Sequence, residues 1–395
     1  MLYTGEAGAQ AQQTDVAVAN LPRPGFESRT IRLGGTIIAP TLDLGVAYND
    51  NIAATRSGRI DDAIFTIRPR IDIEHRGATL DLIGNVHAGI IRFAENTREN
   101  VDTFGAKLDL TKRAGGGHSL NAEGTYDRSF ERRSDPEADF DRLRRPALIN
   151  FTTGELRYGY RGARIGATAM FSVASIDYLP SADADRDLTT YRGSVRGLYS
   201  IGSGTAVFVE GFVTRRDNRL RLDRSGFDRD ATTTGGLAGL EFSLSGKLDG
   251  DLGVGVFHAD PDDRRLRGFT GLGASGRLAW HPRERTDVTF DVFRGDVASV
   301  RIGATGRVDT RASVSIDQEA RHNLLLHGAI GLRNIHYRGT IDRDQRYLTG
   351  EVEARYLLRR HVWLIVGSNY VHRGADFVDD RFHYWQTNLG IRLAY

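Results

Sequence analysis

Residues 64–74 read IFTIRPRIDIE, and alternate residues of this stretch fall into two chemically different sets. The first set is apolar and consists of Phe65, Ile67, Pro69, Ile71 and Ile73. The second set is polar or charged and consists of Thr66, Arg68, Arg70, Asp72 and Glu74. Successive side chains of a β-strand point to opposite sides of the sheet, so the stretch predicts a strand with one apolar and one charged face.

The same two-residue period runs through most of the chain, and no 3.6-residue helical period competes with it. Residues 79–90, 301–316 and 347–358 repeat the pattern in full. The segments that follow it are 36–49, 61–75, 78–93, 99–112, 117–130, 148–161, 163–177, 187–200, 204–216, 229–244, 247–259, 267–280, 285–295, 299–317, 322–336, 344–358, 361–373 and 380–395. The sequence therefore predicts about eighteen strands.

The connections between these segments fall into two alternating classes. Short turns such as Arg76-Gly77 and Gly202-Ser203 alternate with longer polar links such as 131–147 and 217–228. Eighteen antiparallel strands need about eight connections of the first class and nine of the second when both chain ends lie beside the short turns. This alternation predicts an up-and-down antiparallel sheet.

A long sheet with one apolar face must either pack against a second layer or close on itself. The polar faces carry many Arg, Asp and Glu residues, and burying such charges between two layers is costly. We therefore predict an all-β fold, a closed transmembrane β-barrel whose apolar face meets lipid and whose charged face surrounds water. A soluble β-solenoid or sandwich array is the alternative. A barrel of this kind places the chain in the Gram-negative outer membrane, with short turns and both termini in the periplasm.

Composition excludes several other classes of protein. The chain has 395 residues, no cysteine and a formal net charge of +2, with 53 basic and 51 acidic residues. Lysine occurs only at positions 107, 112 and 247, so the other 50 basic residues are arginine. The near-zero net charge gives no sign of nucleic-acid binding. No apolar run approaches the roughly 18 residues of a membrane helix, and disulfides and thiolate metal sites are impossible.

The first 35 residues differ from the rest of the chain. Ala9-Gln10-Ala11 has the small-x-small pattern of a signal-peptidase site, although no basic start or apolar stretch precedes it. We expect residues 1–11 to be the remnant of a signal peptide; a floppy Ala/Gln-rich tail is the alternative. Residues 12–35 contain Pro22 and Pro24 and few apolar residues, which predicts a periplasmic linker. The barrel is predicted over residues 36–395.

Aromatic residues support the membrane assignment. Six of them recur on the outward face at the short-turn ends of strands, as expected for an interfacial girdle: Tyr158, Tyr160, Tyr199, Phe242, Trp280 and Tyr356. The last strand places five apolar residues on one face, namely Trp385, Leu389, Ile391, Leu393 and Tyr395. This ending resembles the carboxy-terminal signal read by the barrel-assembly machinery; an ordinary edge strand that ends in tyrosine is the alternative.

Residues 31–55 read IRLGGTIIAPTLDLGVAYNDNIAAT, with Arg23-Pro24 shortly before them. Pro40 lies in an apolar strand face, and Tyr48-Asn49-Asp50-Asn51 forms a corner that leads into a loop. This stretch resembles the opening of the putative β-barrel porin 2 family of Gram-negative outer-membrane proteins. The resemblance implies a barrel associated with exopolysaccharide synthesis and export. Its partners would then be a polysaccharide and the periplasmic export proteins that deliver it.

The charged faces are predicted to line a water-filled lumen. The candidate lumen-lining residues are Arg68, Arg70, Arg157, Arg196, Arg277, Arg301, Arg307, Arg311, Arg333, Arg355, Glu351 and Glu353. Arginine can hold carboxylates in a bidentate manner, so one interpretation is a wall that attracts anions or suits the hydroxyls and carboxylates of sugars. The other interpretation is a set of cross-strand ion pairs that only solvate and stiffen the wall.

The longest loop, residues 131–150, reads ERRSDPEADFDRLRRPALIN and carries helix signals. Asp135 can cap a helix, and Pro136 suits its first position. The charged residues of the loop are arranged as a helix dipole favours: Asp135, Glu137, Asp139, Arg142, Arg144 and Arg145. As the third external loop it is expected to form a helix and to narrow the pore, by analogy with general porins; a lid on the outer surface is the alternative.

Other candidate sites are weak. Gly271-Leu-Gly273-Ala-Ser-Gly276 matches a nucleotide-binding pattern but lies within a predicted strand, with no helix to receive a phosphate. The Asp-rich loops around Asp183 and Asp260 suit solvated charge, or bridging to lipopolysaccharide phosphates, better than calcium. We expect no cofactor, no metal and no enzymatic activity. The predicted function is an outer-membrane channel that contacts lipid and lipopolysaccharide; the family resemblance implies that it serves as an exit conduit for exopolysaccharide. A passive solute porin, an enzyme acting on lipid or glycan, and a structural or adhesion scaffold are the alternatives.

Overall fold

Nineteen strands account for most of the described chain. The structure, a computed structural model, describes residues 18, 21, 23–26, 28, 30–138, 144–340 and 342–395. The strands are β1 Ile31–Leu33, β2 Thr36–Asn49, β3 Asp62–Arg76, β4 Leu80–Phe93, β5 Val101–Ala114, β6 His118–Phe130, β7 Leu148–Arg161, β8 Ile165–Tyr178, β9 Leu188–Gly202, β10 Thr205–Asn218, β11 Ala231–Leu244, β12 Leu248–Pro261, β13 Phe269–Arg283, β14 Thr286–Val297, β15 Ala304–Arg321, β16 Leu324–Gly339, β17 Arg343–Arg359, β18 Val362–Ala375 and β19 Phe382–Ala394.

Strands β2 to β19 form a closed antiparallel barrel of eighteen strands. Each strand pairs with its neighbours in sequence, and β19 pairs with β2 over the register Gln386–Asn49 to Ala394–Thr41. Inside this seam the Arg392 guanidinium contacts the Asp43 carboxylate through two hydrogen bonds of 2.6 and 2.8 Å. Closure leaves none of these strands with an unpaired edge, which confirms the predicted fold class and strand count.

The two faces of the barrel have the predicted chemistry. Apolar side chains on the outward face are exposed, and examples from five strands are Leu44, Phe65, Val195, Val254 and Val352. The predicted aromatic girdle also faces outward, and Tyr158, Tyr199, Trp280 and Tyr356 are each more than two-fifths exposed. The five apolar residues predicted on one face of the last strand share the outward face of β19 or follow it directly: Trp385, Leu389, Ile391, Leu393 and Tyr395.

Two clusters of buried apolar residues lie inside the barrel, towards the end that carries the longer loops. One cluster combines Ile335, Tyr337, Tyr347 and Phe382 with two alanines, and a second contains Tyr178, Leu188 and Val300. The outward apolar face of a membrane barrel contacts lipid and does not form a protein core. The inward clusters therefore provide the apolar packing that holds the loops against the wall. The inside of the barrel is therefore packed with apolar side chains at the long-loop end, whereas its wall nearer the short turns is mostly polar.

The described part of the segment before the barrel contacts the barrel. β1 pairs with the start of β2 across the Gly34-Gly35 turn. Arg23 lies 3.5 Å from Glu319 near the short-turn end of β15, and Phe26 packs edge-on against His322. The described part of the predicted linker therefore follows the inner rim of the short-turn end. The predicted signal-peptide remnant, residues 1–11, lies outside the described residues.

One prediction of local structure is wrong. β15 begins at Ala304, so Arg301 lies in the loop between β14 and β15 and is not a wall residue. The only helices among the described residues are short 3-10 segments at Thr97–Glu99, Gly115–Gly117, Ser181–Arg186 and Val378–Asp380. None of the described helices has the length and apolar character needed to cross a membrane.

Candidate functional site: a lumen crossed by a loop

Charged side chains of the lumen wall are mostly paired across neighbouring strands. Asp309 on β15 is fully buried and accepts hydrogen bonds from Arg333 of β16, with Nε 3.0 Å from each carboxylate oxygen. Arg311 lies 3.3 Å and Arg307 3.8 Å from the same carboxylate. One buried anion thus holds three of the predicted lumen arginines in place, because each cation offsets part of the cost of burying it.

A second buried network lies on β9 to β12. Arg196 contacts Glu210 at 2.9 Å and Asp251 at 2.6 Å, and its guanidinium stacks 3.9 Å above the centre of the Phe208 ring. Arg192, four residues earlier on the same face of β9, stacks 4.0 Å above Phe212. Stacking on a phenyl ring holds a guanidinium flat and leaves its edge available for hydrogen bonds.

The structure places eleven of the twelve predicted lumen residues on inward faces of strands. They are Arg68, Arg70, Arg157, Arg196, Arg277, Arg307, Arg311, Arg333, Arg355, Glu351 and Glu353. They do not form one site. Several pair along their own strand, as Arg157 does with Glu155 at 2.6 Å and Arg70 with Asp72 at 2.6 Å. The remaining residue, Arg301, belongs to the loop end.

The loop after β6 folds into the barrel and reaches the opposite wall. It leaves β6 at Glu131 and returns to β7 at Leu148, and its described tip is Pro136-Glu137. The Glu137 carboxylate forms a buried ion pair with Arg307 of β15, which is nine strands from β6 in a ring of eighteen.

Hydrogen bonds fix this tip from several sides. The second Glu137 carboxylate oxygen accepts from Ser299 Oγ at 2.8 Å and from the Arg301 backbone N–H at 3.0 Å. The Pro136 carbonyl accepts from Tyr337 Oη at 2.9 Å and from Arg301 Nη2 at 2.8 Å. Glu137 is 3% and Arg307 1% exposed. The tip is therefore buried and held by these four hydrogen bonds and one ion pair.

The helix predicted in this loop is absent from its described part. Residues 133–137 form turns, and the Asp135 carboxylate accepts from the Arg132 N–H at 2.9 Å instead of capping a following turn. In this described part, the contacts of Pro136 and Glu137 with the opposite wall take the place of a first helical turn. Arg144 contacts Asp183 at 2.8 Å, and Arg145 is exposed. Asp139 and Arg142 lie outside the described residues.

Neighbouring loops complete a network over the same end of the barrel. Arg186 donates to Glu131 at 3.1 Å and to the Glu137 carbonyl at 2.7 Å. The Asp223 carboxylate joins two loops by accepting from the Gly303 N–H at 3.0 Å and from Ser225 Oγ at 2.5 Å. Burial raises the pKa of Asp223, but these hydrogen bonds and Arg229 outweigh it and hold the pKa below its usual value.

Aspartates that were weighed as calcium ligands are bridged by arginine instead. Asp185 contacts Arg224 at 2.7 Å, and Asp187 contacts Arg219 at 3.0 Å. Over the described ranges, no group of three or more His, Cys, Asp or Glu residues is placed to hold a metal ion. These carboxylates therefore serve the loop network.

Beneath the crossing loop lies a cavity of about 630 Å³ on one side of the lumen. Its lining comes from Glu137 and from the inward faces of β7 to β15, and it includes the stacked Arg192 and Arg196. Three half-buried phenyl rings, Phe151, Phe212 and Phe293, also border it. A cavity of this size, with aromatic walls and a few polar groups, has the character of a binding site.

Sequence reasoning missed these inward phenyl rings because it assigned apolar residues to the lipid face. The signal that could have found them is glycine. A Cβ atom at Gly235 would lie 2.5 Å from the Phe212 ring, and one at Gly271 would lie 2.5 Å from Phe257. The Gly271–Gly276 motif therefore includes a glycine that makes room for an aromatic ring on the neighbouring strand, a known device in barrels.

Solved structures with a similar barrel share little sequence with this chain. Acinetobacter baumannii OccAB3 is 9% identical, with 92% of this chain and 100% of that chain covered and a TM-score of 0.47. The apoprotein form of the FrpB iron transporter from Neisseria meningitidis, F5-1 variant, is 9% identical, with 91% and 81% covered and a TM-score of 0.46. A bacterial polysaccharide outer membrane secretin is 8% identical, with 90% and 98% covered and a TM-score of 0.36.

At these identities and scores, the three similarities say nothing about cargo. Among curated proteins, none matches the chain by sequence. The family assignment rests instead on a match that covers the whole barrel and the rim segment before it. Over residues 23–395, the sequence matches the family described as putative beta-barrel porin 2, and the chain belongs to that family of outer-membrane barrels.

Proposed function

We propose that this protein is a non-enzymatic outer-membrane channel that serves as an exit conduit for exopolysaccharide, with the crossing loop as its constriction. The observation that carries the channel proposal is the ion pair between Glu137 at the loop tip and Arg307 on the opposite wall. A loop bound in this way narrows the lumen. A lid on the outer surface would not need a buried carboxylate inside the barrel.

The lumen wall supports passage of a hydrated, hydroxyl-rich solute. Its inward residues are mostly charged or polar, and most arginines are already paired with carboxylates, as Arg333 is with Asp309. Paired charges of both signs offer many hydrogen-bond donors and acceptors without a strong net field. Such a wall suits sugars better than it suits a highly charged ion.

The polymer itself is supported only by the family, in which barrels accompany exopolysaccharide export. In this proposal periplasmic export proteins deliver the chain to the short-turn end, and the polymer leaves past the crossing loop. The external loops then meet lipopolysaccharide, and both termini lie in the periplasm.

Deletion of the gene in its native host tests the export function. We expect loss of surface polysaccharide with unchanged uptake of small solutes. Reduced solute uptake with intact polysaccharide would instead favour the second candidate, a passive solute porin. The inward third loop favours that candidate, because general porins narrow their pores in the same way.

Electrical recording tests the constriction. Purified barrel in a planar bilayer should conduct ions, and a variant that lacks residues 134–145 should show a larger single-channel conductance. Removal of residues 264–267 from the loop between β12 and β13 provides a control, since no contact to Glu137 or Pro136 involves that loop. An unchanged conductance after removal of 134–145 would contradict the constriction.

A further inference from the structure

We infer that the cavity beneath the crossing loop is a binding subsite for an oligosaccharide that carries carboxylate groups. This inference rests on the proposed channel and names the class of substrate that the channel would hold. It is carried by a strip of inward side chains that follows the wall from β9 to β15. The strip consists of Arg192, Phe212, Phe257, Arg277, Phe293 and Arg311.

Two arginines of the strip have hydrogen-bonding capacity to spare. The Arg192 side chain is 23% exposed; its Nη1 donates to Thr214 Oγ1 at 3.3 Å, but its Nη2 lies 3.7 Å from the nearest carboxylate, Glu210, beyond hydrogen-bonding distance. Arg277 is more than half exposed, and its nearest carboxylate, Asp291, is 3.9 Å away. In contrast, Arg196 is saturated by two carboxylates at hydrogen-bonding distance. Arg192 and Arg277 are therefore the groups that can receive a carboxylate from a ligand.

The phenyl rings supply the apolar part of a sugar site. Phe212 and Phe293 are half-buried, and each carries an arginine on one face, Arg192 at 4.0 Å and Arg311 at 5.1 Å. A pyranose ring presents C–H groups on its faces and hydroxyls at its edge. Aromatic rings beside charged hydrogen-bonding groups match both features in one ligand.

Spacing favours an oligomer over a small anion. Arg192 on β9 and Arg277 on β13 are four strands apart, about 19 Å across the strands. The register places Phe269 of β13 in line with Arg192, so Arg277 lies a further eight residues, about 27 Å, along the strand. A simple dicarboxylate cannot contact both side chains, whereas a chain of several sugar units can. A ligand in this place lies directly beneath Glu137, within the path that the loop narrows.

Current block in a planar bilayer tests the subsite. The probes are an oligogalacturonate, a maltooligosaccharide of equal length, and succinate. We expect the oligogalacturonate to interrupt the ion current of the wild-type channel more strongly than the other two. In Arg192→Gln and in Arg277→Gln, the dissociation constant of this block should rise about tenfold, corresponding to about 1.4 kcal/mol.

Lys107→Gln is the matched control. Lys107 is an inward cation on β5, outside the strip, and contacts Glu123 at 2.9 Å. Its substitution removes one lumen charge but should leave the block by oligogalacturonate unchanged. An equal weakening of the block in all three variants would show that only the overall charge of the lumen matters, and would overturn the subsite.

The remaining outcomes separate this inference from the proposed function. A channel that conducts but is blocked equally by the maltooligosaccharide, or equally by succinate, overturns the subsite and leaves the channel intact. A protein that folds but does not conduct contradicts the channel. Calorimetry on the detergent-solubilised barrel still tests the subsite in that case, because it measures the binding of oligogalacturonate directly, and no heat of binding would overturn it.

Discussion

At the scale of single residues, the Glu137–Arg307 ion pair holds the crossing loop against the opposite wall of the lumen. Both side chains are almost fully buried, so removal of one partner leaves an uncompensated charge. Neither the pairing nor the burial could be predicted from the sequence, because the two residues are 170 positions apart and pairing over that distance depends on how the barrel closes. Inward arginines such as Arg333 were predictable from the period of two alone.

Substitution of either partner should release the loop. Glu137→Gln and Arg307→Met are each expected to lower the stability of the folded barrel by about 3 kcal/mol or more and to raise single-channel conductance. The double variant should recover part of that stability, because it leaves no buried charge unpaired. Thermal unfolding, followed by the mobility shift of heated samples on SDS gels, measures the effect, and additive losses in the double variant would contradict the pairing.

Asp223 gives a prediction about pH. Its pKa is held below the unfolded value of about 3.9, so its contribution to stability is complete at neutral pH and is lost as the pH falls through the folded pKa. Wild-type protein should therefore be more stable than Asp223→Asn at pH 7, and the difference should shrink below about pH 4. Thermal unfolding across this range measures it. A difference that is constant with pH would show that the carboxylate charge plays no part.

At the scale of elements, alternation of residue type predicted the strands well and the loops poorly. Strand boundaries follow the sequence within a few residues, because the change from alternating to polar sequence is sharp. In loop 131–147, the described residues 133–137 form turns where a helix start was predicted, because the helix signals are local whereas the contacts of Pro136 and Glu137 are long-range. Inward phenyl rings escaped prediction since their partners are glycines on neighbouring strands.

The glycine-to-ring contact predicts the outcome of a small substitution. Gly235→Ala places a methyl group where Phe212 and the Val256 carbonyl oxygen already lie, at 2.5 and 2.8 Å. We expect a loss of about 1 to 3 kcal/mol from this overpacking, seen as a lower temperature for the gel mobility shift. Gly211→Ala is the control, since nothing lies within 4 Å of its Cβ position. Equal stability of the two variants would rule out a role for the close approach.

At the scale of the whole molecule, the barrel closes where the last strand meets β2. The Tyr395 N–H donates to the Pro40 carbonyl at 3.2 Å, and its ring points outward and is 60% exposed. The sequence predicted this closure because a long sheet with one apolar and one charged face must close on itself when the charges are too costly to bury under a second layer. It could not predict which lumen arginines lack a carboxylate at hydrogen-bonding distance, because such pairing depends on cross-strand register.

The exposed terminal ring predicts an effect on assembly and not on stability. Tyr395→Ser should reduce the amount of folded barrel recovered from outer membranes, if the assembly machinery reads this residue. The barrel that does form should unfold at nearly the wild-type temperature. Tyr356→Ser, another outward aromatic residue beside the short turns, serves as the control. Equal recovery of both variants would argue against an assembly signal at Tyr395.

Because lysine is rare in this chain, labelling of its amines can show which end of the barrel faces the outside of the cell. Lys112 and Lys247 both lie at the short-turn end, and Lys107 faces the lumen. The long loops of the described chain contain no lysine. An amine-reactive dye that cannot cross the membrane therefore has no target there, and the amino terminus is the other amine that it could label. Intact cells should label weakly and opened cells strongly if the short turns face inward, and the reverse ratio would mean an inverted barrel.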